Sequence, residues 1–82
     1  ISQRSMETVL IAEKPIESYL AKAREAVSKG GILLKAIGRD TVKAVDVAEI
    51  LKLENIKVIK VTTDTINQDD KRVSVILIEM SR

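Results

Sequence analysis

The chain contains no cysteine and no histidine. Without thiols it has no disulfide to staple a small fold and no thiolate for a metal or for catalysis, which suits a reducing interior better than a secreted disulfide scaffold. Without imidazoles, Ser-His and Cys-His nucleophile pairs and imidazole metal sites are excluded by composition. Aromatic residues are almost as scarce, Tyr19 being the only one. Single-strand binders that stack successive bases need several exposed rings, so stacking is not the expected mode of recognition. No apolar run approaches the ~20 residues of a membrane span, and no charged-then-apolar leader opens the chain. The expectation is a cytoplasmic protein with no membrane partner. The chain begins at Ile1 without an initiator methionine, and residues 1–6 read as a poorly packed tail.

What is present is aliphatic and evenly charged. Of the 82 residues, 45 % are hydrophobic, nearly all Ile, Val, Leu and Ala. That length suits one domain spanning 1–82, whose folding buries about 60 to 65 % of the surface of the unfolded chain. Fourteen Lys and Arg against twelve Asp and Glu leave a formal charge of +2, so the case for a polyanion partner rests on where the cations lie. Asp69-Asp70 could bind a hard cation, but an adjacent pair in a polar turn is more often simply solvated. With no set of groups converging on a pocket, the reading is of a protein that is not an enzyme, with no catalytic residue, no metal and no cofactor.

Val9-Leu10-Ile11-Ala12 reads as a short buried strand, ended by Lys14-Pro15, with the proline suited to the first turn of a helix. Ile16, Tyr19, Leu20, Ala23 and Val27 then recur at helical spacing, and Gly30-Gly31 supplies the stop. Ile32 to Ile37 is apolar at almost every position, as in an interior strand covered on both faces. Gly38 turns the chain, and Asp40 or Thr41 is expected to cap a second helix running to about Leu53. On that helix Ala44, Val45, Val47, Ala48 and Leu51 form the core face, while Val42, Ile50 and Leu53 fall outside it. Ile56 to Ile66 and Lys71 to Met80 read as two strands of a hairpin around Asn67-Gln68-Asp69-Asp70, with arms that can project. In the last strand Val73, Val75 and Leu77 share one face, and Ile76, Ile78 and Met80 the other.

The order strand-helix-strand-helix-strand-strand predicts an α/β two-layer sandwich. Right-handed crossovers put both helices on one side of the sheet and leave the other to solvent or a partner. The surplus apolar positions predict a homodimer, with Val42, Ile50, Leu53, Ile76 and Ile78 as its interface.

A strand-to-helix turn exposes backbone N–H groups and the positive end of the helix dipole, and here Arg39 and Lys43 add cations to it. The plainer account is a glycine chosen for its backbone angles, a surface arginine and a lysine paired with Asp46 or Asp40. Lys14, at the start of the first helix, lies at the same sheet edge if the first two strands are parallel neighbours. Two helix starts and their cations then converge on one polyanion site. Lys71-Arg72 forms a further cationic patch on the hairpin, partly cancelled by Asp69 and Asp70.

The segment Gly38-Arg39-Asp40-Thr41-Val42-Lys43-Ala44-Val45-Asp46 resembles the G-R-x-x-x-K-A-V-D signature of the Alba family of archaeal chromatin proteins, and Ile11-Ala12-Glu13-Lys14-Pro15 is similar to that family's I-G-K-K-P. The match runs from about Glu7 to Met80. The resemblance implies a fold like the C-terminal domain of translation initiation factor 3. It also implies a homodimer that coats double-stranded DNA and binds RNA, with paired hairpin arms in the minor groove. The family's binding arginine and lysine fall on Arg39 and Lys43, and the second lysine of its loop on Lys14. Glu13 stands where the family carries a lysine regulated by acetylation, and Ala12 replaces its glycine. Ile37 stands where some members have another arginine. A less basic paralogue that mixes with a main partner fits these departures.

The resulting expectation is sequence-independent binding by Lys14, Arg39, Lys43, Lys71 and Arg72, serving chromosome or nucleoid organisation and DNA condensation. A second reading is an RNA-binding protein, acting in RNA processing or as a subunit of an RNase P-like ribonucleoprotein. A third is a protein-interaction module whose apolar surface is its function. Charge reversal at Arg39 and Lys43 separates the third from the others.

Overall fold

The computed structural model describes residues 6–82, which form one four-stranded sheet and two helices. The expected tail at 1–5 lies outside the described residues. Met6, expected in that tail, instead begins strand β1 (Met6–Ile11) and pairs with Gly31. Helix α1 spans Ile16–Lys29, strand β2 Gly31–Ile37 and helix α2 Asp40–Lys52. Strands β3 (Lys57–Gln68) and β4 (Lys71–Ser81) complete the chain. The strand and helix order is the one that the sequence pattern predicts.

The sheet runs β1-β2-β4-β3, with β1 parallel to β2 and β4 antiparallel to both of its neighbours. Strands β1, β2 and β3 therefore point the same way. The ends of β1 and β2, where the helices begin, and the tip of the β3–β4 hairpin all fall at one end of the sheet. Alternate residues Val9 and Ile11, Ile32, Leu34 and Ala36, and Ile78 and Met80 are buried under the helices. The helices answer with Tyr19, Leu20, Ala23, Ala26 and Val27 from α1 and Ala44, Val47, Ala48 and Leu51 from α2. An aliphatic core this dense is sensitive to truncation, at about 2 to 5 kcal/mol for a buried Leu or Ile cut to Ala.

The structure corrects several expectations. Strand β2 is interior, but apart from Gly31 only its helix-side residues are buried, and Leu33, Lys35 and Ile37 on the opposite face are half-buried. On α2, Val45 is 43 % exposed, whereas Ile50 packs against the core. Both follow from α2 lying over β2 and β4. That rotation turns the Val45 flank toward the uncovered strand β3. Neither Asp40 nor Thr41 caps α2. Arg39 occupies the cap position without a side-chain hydrogen bond, and the turn closes through the Thr41 N–H donating to the Gly38 carbonyl.

The hairpin turn is tighter than expected. Asn67 and Gln68 extend β3, leaving a two-residue turn at Asp69 and Asp70, both at positive φ. Paired positive φ values match the right-handed twist of the strands, which is why such turns make two-residue hairpins. Sheet pairing between β2 and β4 ends at Ile37 with Val75, and beyond it the hairpin continues as a two-stranded arm from Thr65–Ser74 to Gln68–Lys71. These pairs carry the arm about 13 Å past the sheet. The Gly38 N–H donates to the Ser74 carbonyl at 2.7 Å and braces the arm at its root.

Candidate nucleic-acid interface

Two strand-to-helix loops meet at the end of the sheet from which the arm projects. The first, Ala12 to Pro15, joins β1 to α1, and Pro15 at the cap position keeps an extended backbone at ψ 152°. The second, Gly38-Arg39, joins β2 to α2, with Gly38 at φ 64°, a left-handed conformation in which a side chain is strained. Parallel pairing of β1 with β2 sets the loops side by side. Neither helix start has a side-chain cap, so no side chain claims the first-turn N–H groups, of which those of Ser18 and Thr41 donate to the Pro15 and Gly38 carbonyls.

Lys43 joins the two loops. From the first turn of α2 its ammonium donates to the Ala12 carbonyl at 2.8 Å and the Lys14 carbonyl at 3.1 Å. The expected alternative, pairing with Asp40 or Asp46, is not among the ion pairs of the described residues, which are Arg24–Glu54, Lys29–Glu25 and Lys52–Glu49. Arg39 occupies the cap position of α2, four residues before Lys43, with no side-chain hydrogen bond to the cap. Lys14 and Arg39 are both exposed. Lys71 and Arg72 are exposed on the arm, opposite Gln68 and Asn67.

Two features escaped sequence reasoning. Tyr19, read only as a core residue, accepts the N–H groups of Ala12 and Lys14 on its Oη at 2.8 and 3.1 Å. Lys22, one turn further along α1, joins Lys14 in lining a shallow hollow of about 440 Å³ that also includes Glu13 and Asp40. Its spacing from Pro15 was the available signal. The two carboxylates make the body surface mixed in sign beside the loops.

The expected interface residues separate. Val42 (66 % exposed) and Leu53 (85 %) lie on the surface, Ile50 and Ile76 are partly buried against the core, and Ile78 is inside the core at 3 %. The apolar surface lies instead along α2 and β3. All twelve residues of β3 are exposed, including Val58, Ile59 and Val61. A groove of about 490 Å³ runs between α2 and the hairpin, lined by Val42, Val45, Thr63 and Ile76 among others.

The Alba family model matches residues 7–68 of the chain. Among solved structures, Alba from Thermoplasma volcanium is similar with a TM-score of 0.78 at 29 % identity, covering 93 % of this chain and 100 % of that one. ALBA1 from Trypanosoma brucei shares the fold with a TM-score of 0.83 at 23 % identity, covering 98 % of this chain and 72 % of that one. With the sandwich, the adjoining helix starts and the projecting hairpin in place, the chain belongs to the Alba family, whose members generally bind nucleic acids.

Proposed function

We propose that this chain binds nucleic acid without sequence preference, as a homodimer that packages duplex DNA along the chromosome. The observation that carries the reading is the joining of the two helix-start loops through Lys43 at the end of the sheet from which the arm projects. Lys14 and Arg39 make the body of a phosphate cradle beside the two helix starts, and Lys43 ties together the loops that carry it. Lys71 and Arg72 continue it along the arm. An arm about 13 Å long and two strands wide suits a groove of the duplex, with its cations on the backbone. The contacts are to phosphates and not to base edges, so they position the protein without reading sequence. No chemical step on the nucleic acid is involved.

A second copy of the chain covers the groove between α2 and β3. An edge strand exposed along its whole length, with Val58, Ile59 and Val61 on it, is a surface that soluble chains pair or cover. Dimerisation there sets two cradles and two arms on one assembly. A paralogue with the same groove would serve equally as the second copy.

Binding to a short duplex, measured at several salt concentrations, tests the reading. Affinity falls with salt, each phosphate contact contributing about 0.9 to the log-log slope. Lys14→Glu with Arg39→Glu weakens binding and flattens that slope while leaving the dimer intact. Unchanged affinity in this variant places the site elsewhere, and a wild type that binds no duplex at any salt defeats the proposal. Competition with structured RNA of equal length separates DNA packaging from an RNA role, because A-form RNA presents a wide, shallow minor groove lined with 2′-hydroxyls.

A further inference from the structure

The loop that carries Lys14 is gripped from two sides. Its inward N–H groups, those of Ala12 and Lys14, donate to Tyr19 Oη at 2.8 and 3.1 Å. The carbonyls of the same two residues accept from Lys43 Nζ at 2.8 and 3.1 Å. Tyr19 is 2 % exposed and rooted in α1, whereas Lys43 is half-buried and reaches across from α2. An ammonium has three donors, and this one spends two of them on the protein's own backbone.

We infer that Lys43 and Tyr19 are positioning residues, which together hold the loop in the one geometry that presents Lys14, and that Lys43 acts on nucleic acid through Lys14. This rests on the proposed binding function. A phosphate competing for the Lys43 ammonium would have to replace two short hydrogen bonds and leave two loop carbonyls unpaired. A phosphate meeting Lys14 breaks no side-chain hydrogen bond or ion pair to any of the described residues. The clamp also lowers the entropic cost of binding, since a lysine on a loop already ordered has less freedom to lose. It explains why the sole aromatic residue of the chain is a tyrosine and not a phenylalanine: the ring packs the core, and the hydroxyl accepts the loop's two N–H groups.

The test combines a double-mutant cycle with amide exchange. Lys14→Ala and Lys43→Met are made singly and together in the full chain, and affinity for a short duplex is measured against salt. Lys14→Ala lowers the log-log slope by about 0.9 for each site lost. Lys43→Met weakens binding in the wild-type background but changes affinity by less than about twofold when Lys14 is already Ala, within the error of additivity. A double-mutant loss equal to the product of the single losses overturns the inference, because it makes Lys43 an independent contact.

Exchange of the Ala12 and Lys14 amides in the free protein needs no nucleic acid. Tyr19→Phe and Lys43→Met each speed it by roughly fivefold or more, while the amides of Val47 and Ala48 in α2 keep their protection. If Tyr19→Phe lowers protection throughout the fold, Lys43→Met alone decides this arm, and unchanged loop exchange in it overturns the clamp. A wild type that binds no duplex defeats the proposed function, and the amide exchange then decides for or against the clamp by itself.

Discussion

At the scale of single residues, charge in this protein matters by where its partners are. Arg24 on α1 meets Glu54 in the turn after α2 through two bonds, Nε to Oε1 at 2.8 Å and a terminal nitrogen to Oε2 at 2.7 Å. Paired fork geometry of this kind is the form in which an exposed ion pair stabilises most dependably. The hydrogen bonds from Arg24, with its charge as a smaller cause, hold the Glu54 carboxyl below its ordinary range, and the same bonds raise Arg24. A carboxylate with a lowered folded pKa adds stability that is full above its unfolded pKa and disappears as pH falls through the folded value. Glu54→Gln is therefore expected to melt below the wild type near neutral pH, with the gap closing on acidification below the ordinary carboxylate range. Thermal melts across that range check this, and a gap that does not change with pH refutes it. The raised Arg24 titrates far above neutrality and leaves no mark on these melts.

At the scale of elements, the hairpin arm has the clearest design and a visible cost. Its turn places Asp69 at φ 51° and Asp70 at φ 63°. Aspartate tolerates the left-handed region better than most residues, but Asn-Gly is the preferred pair for a turn with both values positive. Replacing Asp69-Asp70 by Asn-Gly is expected to stabilise the protein by about 0.5 to 1 kcal/mol in denaturant melts. It also removes two negative charges beside Lys71 and Arg72, so duplex affinity rises at fixed salt. A lower midpoint in the melts contradicts the strain argument, and unchanged affinity contradicts the placement of the arm along the nucleic acid. Helix α2 is the counterpart on the body. Its buried stripe of Ala44, Val47, Ala48 and Leu51 seats it on the sheet, and the same seating aims Lys43 at the neighbouring loop.

At the scale of the whole molecule, one chain leaves more apolar surface open than its polar composition requires. Val42 and Val45, at 66 and 43 % exposed, line one groove between α2 and the hairpin, and Val61, 53 % exposed, lies on the open strand β3. A second copy seated there removes that surface from water, at about 25 cal/mol for each Å² of apolar area buried. Val45→Asp with Val61→Asp is expected to convert the proposed dimer to a folded monomer in sedimentation equilibrium, with the circular dichroism of the wild type. Duplex binding by that monomer weakens, since one cradle and one arm are lost from each assembly. A wild type that sediments as a monomer at micromolar concentration refutes the interface.

The amino-acid pattern by itself determined the elements and the strand-to-helix turns that make up the candidate site. Helical spacing of Tyr19, Leu20, Ala23 and Val27, the Gly30-Gly31 stop, and alternation in the last strand are local signals, written within a few residues of one another. The same is true of the Gly38-Arg39 turn, whose glycine and cation are adjacent. Tertiary structure decided what depends on residues distant in the chain. The placement of β4 between β2 and β3 turned Ile78 into core and left β3 open, because strand order is chosen by which faces the helices can cover. The rotation of α2 exchanged the roles of Val45 and Ile50. The bond from Lys43 to a carbonyl 31 residues away is invisible in any local pattern. A lysine at helical spacing from an arginine reads as part of a cationic face, and only the packed fold brings the backbone groups that claim it within reach.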